Sequence, residues 1–394
     1  MKITDVEPIL LRGEQDYVAP AGREEATDNG DWQLLVKVTT DAGLIGYSDV
    51  ETLSPAAVAV INGPGMGVMG FKALRDLLLG EDAADIESLW DRLYIGSAYY
   101  GRRGLAMHCI SAIDNCLWSI RAQAADKPLC DLLGGRRRDR VTAYASTLFR
   151  ATPDGCADAA RMYVDRGFHA VKFGWGVFGQ DPKRDVELVA AAREALGPER
   201  HLMVDPGWYG AGWSDAQFRR RGYRTYEENL RLCESLEPFN VRWIEDFVMP
   251  ERFDEYARLR RNVRSPIAAG EQMATIWDFR RLIGEGCVDV VQPDLTRCGG
   301  LTVAKQVVEL AQQHGVDVVP HSWLTDLLTA NSLHLIATLR EAHFVEFNVS
   351  QSALTRGICG GALSLNADGT VDVPIGAGVG VEVDEAFVQA HRVS

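Results

Sequence analysis

From residue 140 onward the chain repeats one rhythm: a short apolar run of strand length, a turn, then a stretch with helical spacing. The apolar runs are 141–146, 170–173, 202–205, 241–245, 267–270, 288–291, 316–320 and 344–347. Parallel neighbours need a crossover between them, and eight is the number of strands that closes a sheet on itself, so the rhythm predicts an α/β barrel. The punctuation agrees, with Pro182 just inside a helix start and Gly197 and Gly315 just past helix ends. At 394 residues the chain is longer than the roughly 250 of one barrel, so a second module is required.

That module is the first 130 residues, where the strand–helix rhythm is missing. Runs 2–11 and 32–40 read as strands, and a turn at Asp41-Ala42-Gly43 leads into a third, which makes an antiparallel meander. Helical spacing follows over 86–93 and 106–122, with Ala106, Cys109, Ile110, Ile113, Leu117 and Ile120 on one apolar face. The loop 14–31 is long, charged and rich in turn formers, and a loop of that length in a compact domain reads as a lid over a site. After Ser350 a glycine-rich tail runs to the end and is expected to return to the first module.

The barrel strands end unusually. Barrels build active sites at the C-terminal ends of their strands. There the second strand offers Lys172, the third to fifth Asp205, Glu245 and Glu271, the sixth Asp294, the seventh His321 and the eighth Glu346. Apolar residues would dominate these runs in a merely structural parallel sheet. Asp205, Glu245 and Glu271 lie about 40 and then about 25 residues apart, one strand–helix unit each, so they fall at the same end of neighbouring strands. Three converging carboxylates call for a cation, and an all-oxygen donor set suits Mg²⁺ or Mn²⁺ rather than zinc. Asp294, one strand before His321, fits a carboxylate that fixes the imidazole tautomer and leaves the other ring nitrogen as a general base.

The order Lys172, Asp205, Glu245, Glu271, Asp294, His321, Glu346 sits within VDPGW, WIEDF, AAGEQM, QPDLTRCGGLT and VVPHSW. It resembles the mandelate racemase subgroup of the enolase superfamily over essentially the whole chain. With the segment YYGRRGLAMHCISAIDNCLWSI it is most similar to the acid-sugar dehydratases of that subgroup, the L-rhamnonate dehydratase-like members. The resemblance implies a modified TIM barrel, (β/α)7β, over 131–370. An α+β capping domain over 1–130 would be completed by a tail, 371–394. It implies one Mg²⁺ per chain on Asp205, Glu245 and Glu271, with Mn²⁺ able to take its place. His321 would abstract the proton next to a substrate carboxylate, the resulting enediolate losing its 3-hydroxyl to give a 2-keto-3-deoxy acid. Lys172 would assist at the carboxylate, and Glu346 would donate a hydrogen bond to it from a protonated side chain, with a raised pKa. A homo-oligomer is also implied.

Two departures from the pattern bear on the reaction. Racemases of this subgroup carry Lys-X-Lys on the second strand, the second lysine being a base opposite the histidine. Here the residues are Lys172-Phe173-Gly174, and glycine accepts no proton, so one-base chemistry is favoured over racemisation. Gly207 in VDPGW stands where many relatives carry a substrate-touching asparagine, so the polyol is expected to be read differently. Candidate substrate contacts are Tyr17, Arg23, Trp208 and Trp323, followed by 49–52, Tyr99, Tyr100, Arg102 and Arg103. Epimerisation or cycloisomerisation through the same enediolate stays open, as do a two-metal hydrolase and a non-catalytic sugar-acid binder.

A net charge of −14 argues against nucleic acid or an anionic membrane surface as partner, while a bound cation would still admit a small anionic substrate. The first fifteen residues alternate polar and apolar, unlike a signal peptide, and no run reaches membrane-spanning length. The eight cysteines are scattered without a C-x-x-C pair, so reduced thiols and a cytoplasmic setting are expected.

Overall fold

The structure, a computed structural model, describes residues 1–13, 31–208, 223–350 and 352–393. Strands β1 (Ile3–Gly13), β2 (Asp31–Thr40) and β3 (Ile45–Val50) form the expected antiparallel meander. The β2–β3 turn closes with the Gly43 amide on the Thr40 carbonyl (3.1 Å) and Gly43 at φ +77°, a conformation glycine adopts without a Cβ clash. Helices α1 (Ser54–Asn62), α2 (Ile86–Gly96) and α3 (Gly104–Ala124) complete the module. The sequence pattern gave α3 one apolar face, yet Ser111, Asp114, Asn115 and Ser119 are buried as well. The reason is that α3 is clamped on both sides, by the meander and by the barrel.

After the short α4 (Leu129–Leu133) come eight parallel strands: β4 (Arg140–Leu148), β5 (Ala170–Gly174), β6 (His201–Asp205), β7 (Ile244–Glu245), β8 (Ile267–Ala269), β9 (Val290–Val291), β10 (Asp317–Val318) and β11 (Val345–Asn348). Their order in the sheet is β10-β9-β8-β7-β6-β5-β4-β11, so sequential strands are neighbours and the eighth lies beside the first. The helices between them are α5 (Pro153–Asp165), α6 (Pro182–Leu196), α7 (Tyr226–Leu236), α8 (Phe253–Arg260), α9 (Thr275–Gly284), α10 (Gly300–His314) and α11 (Asp326–Ala337). Four of them, α5, α6, α7 and α11, start where the side chain of the preceding residue satisfies an orphan amide. Thr152 accepts from Gly155, Asp181 from Lys183, and Thr225 with Glu228 makes a capping box. Among the described residues no helix is long and apolar enough to cross a membrane, and the eight cysteines are free and buried.

The barrel interior explains how the site is built. Tyr144, Ala170, Met203, Trp243, Ala268, Val290, Val319 and Phe344 form a cluster separate from the main core, one residue from each of the eight strand segments. Side chains on a strand return to the same face every second residue. Two residues further along each segment, the inward positions are therefore Ser146, Lys172, Asp205, Glu245, Gly270, Gln292, His321 and Glu346. One apolar layer fills the barrel, and the next layer up is polar.

Cap and barrel are joined through α3. The Asp114 carboxylate accepts from the Thr302 amide (2.9 Å) and hydroxyl (2.6 Å), Asn115 Oδ1 from the Leu301 amide (3.1 Å), and Ser111 Oγ from the Gly299 amide (2.8 Å). Asn115 Nδ2 in turn donates to the Leu295 carbonyl (2.8 Å). The cap helix thus caps the N-terminus of α10 and grips the loop that follows Asp294. A Cβ on Gly300 would stand 2.4 Å from Asp114 Oδ2, which accounts for the glycine there. Asp114→Ala is expected to cost about 1–3 kcal/mol, because it strands two buried donors of Thr302; the denaturant midpoint measures it, and Asp114→Asn should lose less. At the other end of the chain, α12 (Ala353–Gly357) follows the eighth strand, β12 (Thr370–Asp372) pairs antiparallel with β4, and α13 (Glu385–His391) leads to Val393, whose amide donates to Leu10 of β1 (2.8 Å).

Candidate active site

Asp205, Glu245 and Glu271 present carboxylate oxygens that all lie within 4.8 Å of one another, and all three residues are buried. Each is held in place. Asp205 accepts from the Trp175 indole (3.1 Å) and the Gly207 amide (3.0 Å), Glu245 from the Trp243 indole (2.8 Å), and Glu271 from Arg297 Nη1 (3.3 Å). Burial, and then the charge of Glu245, push the Asp205 carboxyl well above the usual carboxylate range. Such a cluster of hard oxygen donors, strained by its own repulsion, fits a divalent cation. Asp246, beside Glu245, adds to the strain: it is buried at φ +44°, and its Oδ2 has no partner among the described residues.

Lys172 Nζ sits 2.5 Å from Glu245 Oε1, 2.8 Å from Glu346 Oε1 and 4.0 Å from Asp205 Oδ2. Its neighbours hold its pKa well above the usual lysine value although burial works the other way. His321 lies across the mouth from it. Nδ1 is 2.6 Å from Asp294 Oδ2 and Nε2 is 3.1 Å from Glu271 Oε2. Asp294 also accepts from the Thr296 amide (2.6 Å) and hydroxyl (2.7 Å), which favours its ionised form. Its carboxyl is held at about 2 against the effect of burial, by the His321 bond and by Arg297. An ionised carboxylate only accepts, so Nδ1 carries the proton and Nε2 is the nitrogen that faces the acidic triad. Burial disfavours charge on His321, but Glu271, Glu346 and the Asp294 bond outweigh it and raise the imidazole to about 10 while the charge of the triad is uncompensated; a cation held by the triad would offset Glu271 and release Nε2 as a base.

Glu346 departs from the sequence-based expectation. It is fully buried, yet it accepts from Ser146 Oγ (2.6 Å) and the Ser322 amide (2.7 Å) and pairs with Lys172. Burial raises its pKa, but Lys172, His321 and these bonds bring the carboxyl down to about 2 rather than up. The expected raised pKa assumed neighbouring negative charge; the neighbours are cations and donors. Glu346 is an acceptor in this arrangement.

The two glycines have steric causes. Position 174 faces the mouth, and a Cβ there would lie 3.1 Å from Asp205 Oδ2, a close contact that the Asp205 side chain would have to yield to by a few tenths of an ångström. Gly207 is at φ +60° and a Cβ would meet the Trp175 ring at 3.1 Å. Trp175, itself at φ +48°, therefore occupies the space that a side chain at 207 would need.

Of the candidate substrate contacts, Tyr17 and Arg23 lie outside the described residues. Trp208 is half-buried next to Gly207, and Trp323 lines a cavity between cap and barrel. The cap arginine Arg103 is engaged with Asp278 at the start of α9, Tyr100 with the Lys72 carbonyl, and Tyr99 is stacked on Phe71 at 4.8 Å. Asp49 is buried and accepts from the Thr325 amide and hydroxyl at the start of α11. Three residues of the site were not singled out by sequence. Ser146 occupies the inward period-two position of the first strand, and Asp246 adjoins Glu245. Arg297 reaches Glu51 of the cap (2.5 Å), Glu271 (3.3 Å) and Asp294 (3.7 Å). Arg297 was legible as the cation within the TRCGG motif three residues after Asp294.

Comparison with known proteins agrees with this geometry. Residues 155–387 match the family described as enolase C-terminal domain-like, and residues 22–134 the mandelate racemase / muconate lactonizing enzyme N-terminal domain. D-galactarolactone cycloisomerase of Agrobacterium fabrum is 32% identical over 100% of this chain and 99% of its own. Arabinonate dehydratase of Saccharolobus solfataricus is 27% identical over 91% and 90%. Among solved structures, the 3,6-anhydro-D-galactonate cycloisomerase of Zobellia galactanivorans superposes with a TM-score of 0.84 at 30% identity, covering 100% of both chains.

Proposed function

The chain belongs to the mandelate racemase / muconate lactonizing enzyme group of the enolase superfamily, and on that premise we propose that it is a Mg²⁺-dependent acid-sugar dehydratase. The observation that carries this reading is His321: its Nδ1–H is locked on Asp294 and its Nε2 is aimed at the carboxylate triad. Asp205, Glu245 and Glu271 would hold the cation. When bound, Mg²⁺ supplies the electrophile that disperses charge developing on a substrate carboxylate. Lys172 Nζ, positioned by Glu346 and Glu245, adds a second positive charge at the same end.

His321 Nε2 takes the proton from C2, and the electron pair of that bond moves into the carboxylate to give an enediolate. As the pair returns, the C3–O bond breaks, and the 3-hydroxyl leaves as water with the proton that Nε2 carries. The enol then takes a solvent proton at C3 and becomes a 2-keto-3-deoxy acid. Gly174 supports this one-base sequence, since glycine carries no side chain that could accept a proton beside Lys172.

Cycloisomerisation is the second reading, favoured by the names of two of the relatives. The same enediolate would expel a ring or lactone oxygen instead of hydroxide, giving an isomer of the substrate. Mass spectrometry of products from a panel of aldonates, aldarates and their lactones separates the two: a dehydratase product is lighter than its substrate by one water, and an isomerase product has the same mass. Turnover confined to lactones or anhydro sugars, without loss of water, would replace the first reading by the second.

A further inference from the structure

Beside His321, between the cap and the last two barrel strands, lies a cavity lined by Trp32 and Gln33 of β2, Glu51 just past β3, and Trp323, Asn348 and Thr355 among others. Its floor continues from the site: Trp323 is two residues past His321 and Asn348 two past Glu346. Glu51 belongs to both places. It lines the cavity, and one of its carboxylate oxygens lies within 4.8 Å of ligand atoms of both Asp294 and His321. A substrate whose carboxylate lies at the triad and Lys172 has to pass C2 across His321 Nε2, and its remaining carbons are then directed at this cavity.

We propose that the cavity holds the far end of the substrate and selects a neutral, hydroxyl-bearing chain over a second carboxylate, with Glu51 as the discriminating residue. The inference rests on the acid-sugar reading above and names the class of acid sugar. Among the described lining residues Glu51 is the one ionisable side chain. The rest are indoles, whose flat faces suit C–H surfaces, together with amides, hydroxyls and leucines. Arg297 engages Glu51 Oε1 at 2.5 Å, while the buried Oε2 has no hydrogen-bond partner among the described residues. A substrate hydroxyl donating to Oε2 satisfies it. A distal carboxylate has no hydrogen to donate and would face like charge at short range. Among the described residues the nearby cations already have partners: Arg297 has Glu51, Glu271 and Asp294, Arg356 has Asp326 and the Asn348 carbonyl, and Arg12 lies over the Trp32 ring at 5.4 Å.

The test uses matched six-carbon aldonates and aldarates of the same configurations, with Mg²⁺ present. Affinities are measured by calorimetry on the His321→Asn background to prevent turnover, and kcat/KM ratios on the unaltered enzyme. The aldonate of each reactive configuration should bind, and turn over, at least about tenfold better than its aldarate. Glu51→Gln, checked for folding by its melting curve, should shrink that ratio to below about threefold by improving the aldarate. Equal or tighter binding of aldarates, or a ratio unchanged in Glu51→Gln, overturns the inference and leaves the enediolate chemistry standing. Selective aldonate binding without exchange of the C2 proton on the unaltered enzyme would support the cavity assignment and count against the dehydratase reading.

Discussion

Replacing His321 with asparagine is expected to lower acid-sugar turnover by about 10²–10⁴-fold, the usual contribution of a positioned general base. Substrate affinity should change little. Asparagine keeps a donor for Asp294 at nearly the same place, so the buried carboxylate stays satisfied and the fold is preserved, while no group remains that can hold a proton at C2. Asp294→Asn is the companion variant. It removes the acceptor that fixes the Nδ1–H tautomer, so it should lower kcat without abolishing substrate binding. Unchanged turnover in His321→Asn would remove the imidazole from the mechanism, and loss of binding in place of turnover would make the residue structural.

The second large effect concerns the cation. Titration with Mg²⁺ should saturate at one ion per chain, with chelation abolishing turnover. Saturation should also stabilise the fold, by about 2.7 kcal/mol at a free concentration one hundred times the dissociation constant. The cause is the triad itself: three carboxylates within 4.8 Å of one another repel in the buried mouth, and Lys172 relieves this only in part. Glu245→Gln is expected to abolish the Mg²⁺-induced rise in melting temperature and to lower turnover at least as far as His321→Asn does. Two ions about 4 Å apart would point instead to a two-metal hydrolase.

Much of this site was legible because barrel geometry converts sequence spacing into spatial order. Each apolar run supplies an interior residue, and the inward residue two positions later faces the mouth. Lys172, Asp205, Glu245, His321 and Glu346 follow from that rule alone. The charge state of Glu346 was not legible, because it depends on Lys172, Ser146 and the Ser322 amide, which are up to 200 residues away along the chain. The second apolar-facing side of α3 escaped for a similar reason: Asp114 and Asn115 read as solvent-facing until the partner, the start of α10, is in place. Gly174 could be seen to lack a base, but that Asp205 occupies the space beside it is a fact of packing. Cap residues were the least legible, since arginines and tyrosines suit a surface as well as a site, and Arg103 proved to be engaged with Asp278.

The central claim is that this mouth abstracts a proton next to a carboxylate from one face and expels the neighbouring hydroxyl. Proton and deuterium NMR of a reactive acid sugar incubated with the Mg²⁺-loaded protein in D₂O tests it directly. The account predicts a 2-keto-3-deoxy acid carrying one solvent deuterium at C3, formed without deuterated substrate of inverted configuration. Recovery of the substrate or its C2 epimer bearing deuterium at C2, with no new carbonyl, would contradict it.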